Sequence, residues 1–290
     1  MNPGAASLLD EAAAVIESQS PPGRAYEGPL RVGVDLGTAT MVLLVLDSDG
    51  HPLGGRMEPA RVVRDGLVVD FIGAVDRLQA MKEAIESDLG AELTAAASGY
   101  PPGVPGPERQ AIAHVVQSAG MTCTALIGEP TAANLVLELQ DGAIVDVGGG
   151  TTGIAILQDG QVAYTADEAT GGIHFDLVIA GALDIELEEA TSLKETPAEQ
   201  ERLLGLVRPV IEKIATITGR HIDGWDVDQV TLVGGACAFP GMAAIVSDQL
   251  GIPVAVAPRT QLVTPLGIAL GAPAEVESNL KSTTANWSRG

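Results

Sequence analysis

The chain predicts an α/β fold made of two similar halves, and three observations predict it. First, Val34-Asp35-Leu36-Gly37-Thr38 and Val145-Asp146-Val147-Gly148-Gly149-Gly150-Thr151-Thr152 each leave an apolar strand on an aspartate, turn on glycine and feed a second apolar strand. Second, each hairpin runs on to an Asp-Gly turn at nearly the same distance: Gly50 lies 15 residues after Asp35, and Gly160 lies 14 after Asp146. Third, hydrophobic residues make up 46% of the chain and aromatics only 3%. Packing therefore falls to Ala, Val, Leu and Ile, the composition of strands buried on both faces of a sheet. A length of 290 residues accommodates two such halves, each with its own core.

Taken in order, residues Ser7 to Ser18 place Leu8, Leu9, Ala12, Val15 and Ile16 at helical spacing with Asp10, Glu11 and Glu17 between them. Ser20-Pro21-Pro22-Gly23 and Gly28-Pro29 then read as linker, so residues 1–29 form an amphipathic helix tethered outside the main body. That helix either docks on its own domain or serves as a docking peptide for a partner groove. The first half spans residues 30–140. It holds the first hairpin, the segment Arg64 to Phe71, a helix near Val75 to Leu89 and an Ala-rich strand ending at Tyr100-Pro101-Pro102. A helix near Pro107 to Ala119, a strand near Cys123 to Ile127 and a helix after Pro130 complete it. The second half, residues 141–263, opens with the strand Ala143 to Val147 and its hairpin. It continues through a helix from Phe175 to Ala182, a long helix from Ala198 to Thr218 with a kink expected at Pro209, and a buried strand Val230 to Val233. A small-residue helix over 264–272 returns to the first half, and residues 273–290 read as a polar, disordered tail.

The glycine-rich turns carry the chemistry. A backbone that presents N–H groups to phosphate oxygens must approach them closely, and a Cβ obstructs that approach. An aspartate at the mouth of such a turn offers a hard oxygen to Mg²⁺, which keeps several waters and takes one or two carboxylates beside the phosphates. Two such turns facing each other would clamp a nucleotide tail. The net charge of −22 excludes a nucleic-acid backbone or an anionic membrane as partner. A nucleotide remains admissible, because Mg²⁺ and local backbone dipoles would meet its charge. Two cysteines, Cys123 and Cys237, cannot build a disulfide framework or a multi-cysteine zinc site. With no basic, apolar leader and no aliphatic run longer than Met41 to Leu46, a cytoplasmic protein is expected.

Gly148-Gly149-Gly150-Thr151-Thr152-Gly153 also fits the dinucleotide pattern G-x-G-x-x-G, with Asp167 and Glu168 downstream. That fingerprint needs a helix directly after the glycines. Ile154-Ala155-Ile156-Leu157 instead leads into a turn and another strand, so the context is wrong.

Four segments in order, Asp35 to Thr40, Glu129-Pro130-Thr131-Ala132-Ala133, Asp146 to Thr152 and Leu232-Val233-Gly234-Gly235-Ala236, make the chain resemble the actin, sugar kinase and heat-shock chaperone ATPase superfamily. Arg64 to Phe71 is similar to the bacterial actin homologues. Ala166 to Gly172 with Tyr100-Pro101-Pro102-Gly103 is similar to the chaperone-like family of ethanolamine utilisation. The resemblance implies an actin-like ATPase fold, two ribonuclease H-like lobes with a nucleotide cleft between them. It implies ATP or ADP with Mg²⁺ as cofactors, slow hydrolysis with lobe closure, and a bacterial microcompartment setting. An ethanolamine-utilisation enzyme or shell component would be the protein partner.

By the same resemblance Asp35 and Asp146 hold hydrated Mg²⁺ from opposite lobes, and Glu129 and Asp146 are the catalytic carboxylates, Glu129 orienting or deprotonating the attacking water. Gly37, Thr38, Thr40, Gly148, Gly149, Gly150, Thr151, Thr152, Gly171 and Gly172 contact phosphates, while Lys194, Gly234 and Gly235 lie at the adenosine. Plainer roles compete with each of these. The aspartates also suit hairpin caps, Glu129 suits the dipole of a helix start, and Lys194 suits a solvated surface. His174 and Asp176 are too few for a metal site, and His51, His114 and His221 form no recognisable cluster with Cys or carboxylates. Two positions depart from the chaperones: Ala39 replaces a second threonine in the first loop, and Thr191 replaces a glutamate three residues before Lys194. These departures favour a scaffold or assembly factor with weak or no nucleotide binding. A small-molecule kinase of the same superfamily and a filament former are further alternatives.

Overall fold

The structure is a computed structural model that describes residues 3–19, 26, 28–64 and 66–274. The linker segment Ser20-Pro21-Pro22-Gly23 and the polar tail from residue 275 lie outside the described residues. Two five-stranded sheets form the frame. The first contains β1 (Arg31–Leu36), β2 (Thr40–Leu46) and β3 (Pro52–Pro59), joined as antiparallel hairpins. After a two-stranded ribbon, β4 (Val63–Arg64) and β5 (Leu67–Val68), and the helix α2 (Phe71–Leu89), the sheet continues with β6 (Ala95–Tyr100). Across α3 (Gly106–Ser118) it reaches β7 (Thr122–Gly128), and β6 and β7 run parallel to β1 in the order β3-β2-β1-β6-β7.

The second sheet repeats this plan. β8 (Gly142–Val147), β9 (Thr152–Gln158) and β10 (Gln161–Glu168) form the antiparallel part; β11 (Val230–Val233) and β12 (Val254–Val256) form the parallel part, in the order β10-β9-β8-β11-β12. Strand for strand this is the arrangement of the first sheet, as two ribonuclease H-like lobes require. Each outer face carries a core of its own. Leu78, Met81 and Ile85 of α2 with Ile112, Val115 and Val116 of α3 cover the first sheet. α5 (Gly172–Leu183), α7 (Pro197–Ile222) and α8 (Met242–Leu250) cover the second. Pro209 sits inside α7 without ending it.

Between the sheets lie α4 (Glu129–Leu137) and the returning helix α9 (Val263–Gly271). Ala133, Val136 and Leu137 of α4 and Val263, Leu266 and Ala269 of α9 share one core with Leu44 and Leu46 of the first sheet and Ile144, Ala155 and Leu157 of the second. Glycine sets the spacing here. A Cβ on Gly267 would lie 1.8 Å from the carbonyl oxygen of Ala132, and one on Gly33 would lie 2.5 Å from the amide nitrogen of Ala269. α9 therefore rests directly on the backbones of α4 and β1.

Two expectations need correction. The N-terminal helix, α1 (Pro3–Ser18), is not tethered outside the body. Leu9, Ala12, Ala13 and Val15 are buried in the central core, and Ile16 packs over Gly55 of β3, where a Cβ would come within 2.8 Å of its Cγ1. Its apolar stripe, read as docking either on its own domain or in a partner groove, packs on the inner side of the first sheet's hairpins, the side that also meets α4 and α9. Three elements went unseen in the sequence: α6 (Leu187–Glu195), α8 and β12. α6 buries only Ala190 among its described residues, and β12 has three residues, too few to show a period.

Candidate functional site

The two hairpin turns are built alike. In the first, the N–H of Gly37 donates to the carbonyl of Thr40 at 3.0 Å; in the second, the N–H of Gly148 donates to the carbonyl of Thr151 at 3.0 Å. Asp35 sits opposite Val42 and Asp146 opposite Gly153, one residue pair before each turn. The turns are closed by backbone, which leaves both carboxylates for the space between the lobes. There the two loops touch. A Cβ on Gly149 would lie 2.7 Å from the Cβ of Ala39, and a Cβ on Gly150 would lie 3.1 Å from the Cγ2 of Thr38.

Glu129, the first residue of α4, enters the same space from the end of β7. Burial and the neighbouring Asp146 raise the carboxyl of Asp35 to a pKa of about 7. Glu129 is pushed well above the usual carboxylate range by burial, and further by Asp35, Asp146 and Asp167. Burial also raises Asp146, with partial relief from the Thr264 hydroxyl, which donates to its Oδ2 at 2.9 Å. These carboxylates repel one another in an enclosed space, and a divalent cation would relieve that repulsion. Among the described residues no three His, Cys, Asp or Glu side chains are placed to grip a metal directly.

Asp167 stands in the sequence within a dinucleotide-like pattern and within the segment Ala166 to Gly172, with no site role assigned to it. The strand register reveals its place: Gly153 of β9 pairs with Asp146 of β8 on one side and Asp167 of β10 on the other, which puts the two carboxylates in register on the strands flanking β9. Thr264, from the returning helix, carried no local sequence signal for its contact with Asp146.

Other candidates are placed less directly. Gly171 packs on the second loop, where a Cβ would lie 2.7 Å from the carbonyl carbon of Gly150. The N–H groups of Gly172 and Ile173 donate to the carbonyls of Gly148 and Gly149 at 2.9 and 2.8 Å. The start of α5 thus buttresses the second loop. Thr152 is fully buried, and its hydroxyl donates to the carbonyl of Thr170 at 2.6 Å, so it supports the loop from behind. Lys194 forms an ion pair at 2.6 Å with the buried Asp176, so it is no free surface charge. Thr191 turns its hydroxyl back to the carbonyl of Leu187 within α6.

Gly234 has φ +90, and a Cβ there would lie 2.3 Å from Oδ1 of Asp146; only glycine fits. Gly235 opens a 3₁₀ turn, Gly235–Ala238, where a Cβ would lie 4.0 Å from the Cβ of Gln261. Thr40 begins β2 on an exposed position. Two of the histidines meet partners that spacing did not reveal. His221 Nδ1 lies 2.8 Å from the Tyr164 hydroxyl, and its Nε2 lies 3.1 Å from Glu168, which also pairs with Arg220. His51 Nδ1 lies 3.2 Å from Glu11 of α1. All four contacts join residues far apart in sequence.

Comparison with known proteins agrees with the two-lobed fold. The Hsp70 protein family model matches residues 72–210. The chain is 41% identical over 260 residues to the ethanolamine utilization protein EutJ of Escherichia coli K12, covering 89% of this chain and 91% of the relative. Among solved structures, EutJ from Carboxydothermus hydrogenoformans superposes with a TM-score of 0.88 at 42% identity, covering 92% of this chain and 98% of that one. MreB5 of Spiroplasma citri bound to AMPPNP superposes with a TM-score of 0.67 at 17% identity, covering 84% and 96%, a likeness of fold.

Proposed function

The chain belongs to the EutJ family, with the actin-like ATPase fold of the heat-shock chaperones, and we propose that it is a nucleotide-dependent, chaperone-like component of ethanolamine utilisation. The observation that carries this reading is the convergence of Asp35, Asp146 and Glu129, from separate elements of both lobes, beside two glycine turns in contact. Asp35 and Asp146 would hold the water shell of one Mg²⁺, which when bound supplies the positive charge that the triphosphate and this acidic cleft both lack. Gly37, Thr38, Gly149, Gly150 and Thr151 would present the loops to phosphate oxygens. Gly234 and Gly235 would admit the adenosine.

Glu129 sits with its carboxyl among other carboxylates, where it binds a proton readily. It is suited to orient a water and accept its proton during slow hydrolysis. Parting and closing of the lobes about α4 and α9 is the motion a partner would read. We place that partner among the enzymes or shell components of ethanolamine breakdown, and the protein in the cytoplasm beside that microcompartment. Among the described residues no helix is long and apolar enough to cross a membrane.

A second reading, a scaffold with weak or no nucleotide binding, is favoured by the pairing of Lys194 with Asp176 and by the commitment of Thr152 to Thr170. Thermal unfolding with and without Mg-ATP separates the two. At a hundred times its dissociation constant ATP adds about 2.7 kcal/mol of stability. No shift at millimolar Mg-ATP leaves the scaffold. Where binding is seen, Glu129→Ala is expected to lower phosphate release about 10²-fold, and unchanged turnover would remove Glu129 from the chemistry.

A further inference from the structure

Arg259 joins the N-terminal helix to the adenosine segment. Its backbone is left-handed, with φ +46, a conformation a residue with a Cβ adopts only when its surroundings hold it there. Its side chain is held at two points: Nε donates to Asp10 at 3.0 Å and Nη1 to Glu17 at 3.3 Å. Those carboxylates stand seven residues apart, two turns along one face of α1. The opposite face of α1 is fixed to the first lobe through Leu9, Ala12, Ala13 and Val15.

On its other side Arg259 precedes Thr260, which brackets Gly234 twice. The hydroxyl of Thr260 donates to the carbonyl of Gly234 at 2.6 Å, and the N–H of Gly234 donates to the carbonyl of Thr260 at 3.0 Å. Gly234 in turn lies against Asp146. A continuous run of contacts therefore leads from α1, on the first lobe, through Arg259 and Thr260 to the glycine of the second lobe.

We propose that Arg259 is a positioning residue for the adenosine segment, through which α1 braces Gly234 in the conformation that receives a nucleotide. The role of Gly234 rests on the nucleotide reading above; the brace itself does not. The ion pairs are exposed, so each contributes little and is screened by salt, but both act on one short segment.

The test is amide hydrogen exchange at Gly234 in the full-length protein. Arg259→Ala is expected to speed exchange roughly threefold to tenfold, the scale of two exposed ion pairs. The charge exchange Arg259→Glu with Asp10→Lys and Glu17→Lys is expected to return it toward the unmodified rate. Unchanged exchange in Arg259→Ala, or a rise that the charge exchange fails to reverse, would overturn the brace. Binding supplies the second readout. Arg259→Ala is expected to weaken Mg-ATP threefold to tenfold while leaving Mg-tripolyphosphate, which has no adenosine, unaffected. An equal loss for both would refute a role specific to the adenosine segment. Should exchange respond as expected while the unmodified protein binds no ATP, the brace stands and the nucleotide reading falls.

Discussion

Asp35 and Asp146 occupy equivalent places in a repeated hairpin, yet their surroundings differ. Thr264 gives Asp146 a hydroxyl, whereas Asp35 is dominated by burial and by the charge of Asp146, which together raise its carboxyl to about 7. A carboxyl that binds its proton more tightly when folded contributes stability below its unfolded pKa of about 3.8, and that contribution is lost as pH rises through about 7. The nucleotide-free protein is therefore expected to lose thermal stability between about pH 3.8 and pH 7 and to level off above that, and Asp35→Asn is expected to flatten the fall. A profile identical in both proteins by scanning calorimetry would refute the assignment. Asp35 and Asp146 were legible in the sequence because each is the second-last residue of an apolar strand that runs into a glycine turn, and Glu129 because its segment, Glu129-Pro130-Thr131-Ala132-Ala133, resembles a superfamily motif. Thr152 and Lys194 were not, because side-chain direction there is decided by Thr170 and Asp176, partners that no spacing rule connects to them.

α1 shows how an element can be read correctly and placed wrongly. Its helical period was plain, and the apolar face it predicts is real. What covers that face, β2, β3 and α9, depends on the folded body rather than on the helix. Leu9 is fully buried, so Leu9→Ala is expected to cost about 2–5 kcal/mol, measured by denaturant unfolding. A loss below about 0.5 kcal/mol, the size of an ordinary surface change, would return α1 to the status of a tethered peptide. Removal of the whole helix would accordingly destabilise the first lobe, which makes truncation a poor test of partner recruitment. The hairpin strands and the long α7 were visible because strong periodicity survives without tertiary context. α6 was missed because its buried side is reduced to Ala190, and α8 because its apolar residues fill one short stretch between Gly241 and Gly251.

At the scale of the molecule, duplication made the two-lobed fold legible, since the same strand–turn–strand device occurs twice and both sheets share one strand order. The sequence did not reveal how closely the lobes approach. The charge of −22 argues for mutual repulsion, yet the two glycine loops meet through residues without charge, Thr38, Ala39, Gly149 and Gly150. That contact offers a direct probe of where a nucleotide enters. A Cβ on Gly150 would lie 3.6 Å from the Cβ of Thr38, within the range of about 3.5–4.5 Å that a disulfide spans. In a background of Cys123→Ser and Cys237→Ala, Thr38→Cys with Gly150→Cys is expected to cross-link under mild oxidation. Mg-ATP is expected to slow that reaction, because phosphates gripped by both loops would hold the two sulfurs apart. Non-reducing electrophoresis over time gives the rate. Cross-linking at one rate with and without saturating Mg-ATP would mean that the nucleotide does not pass between the loops, and the paired aspartates would then need another explanation.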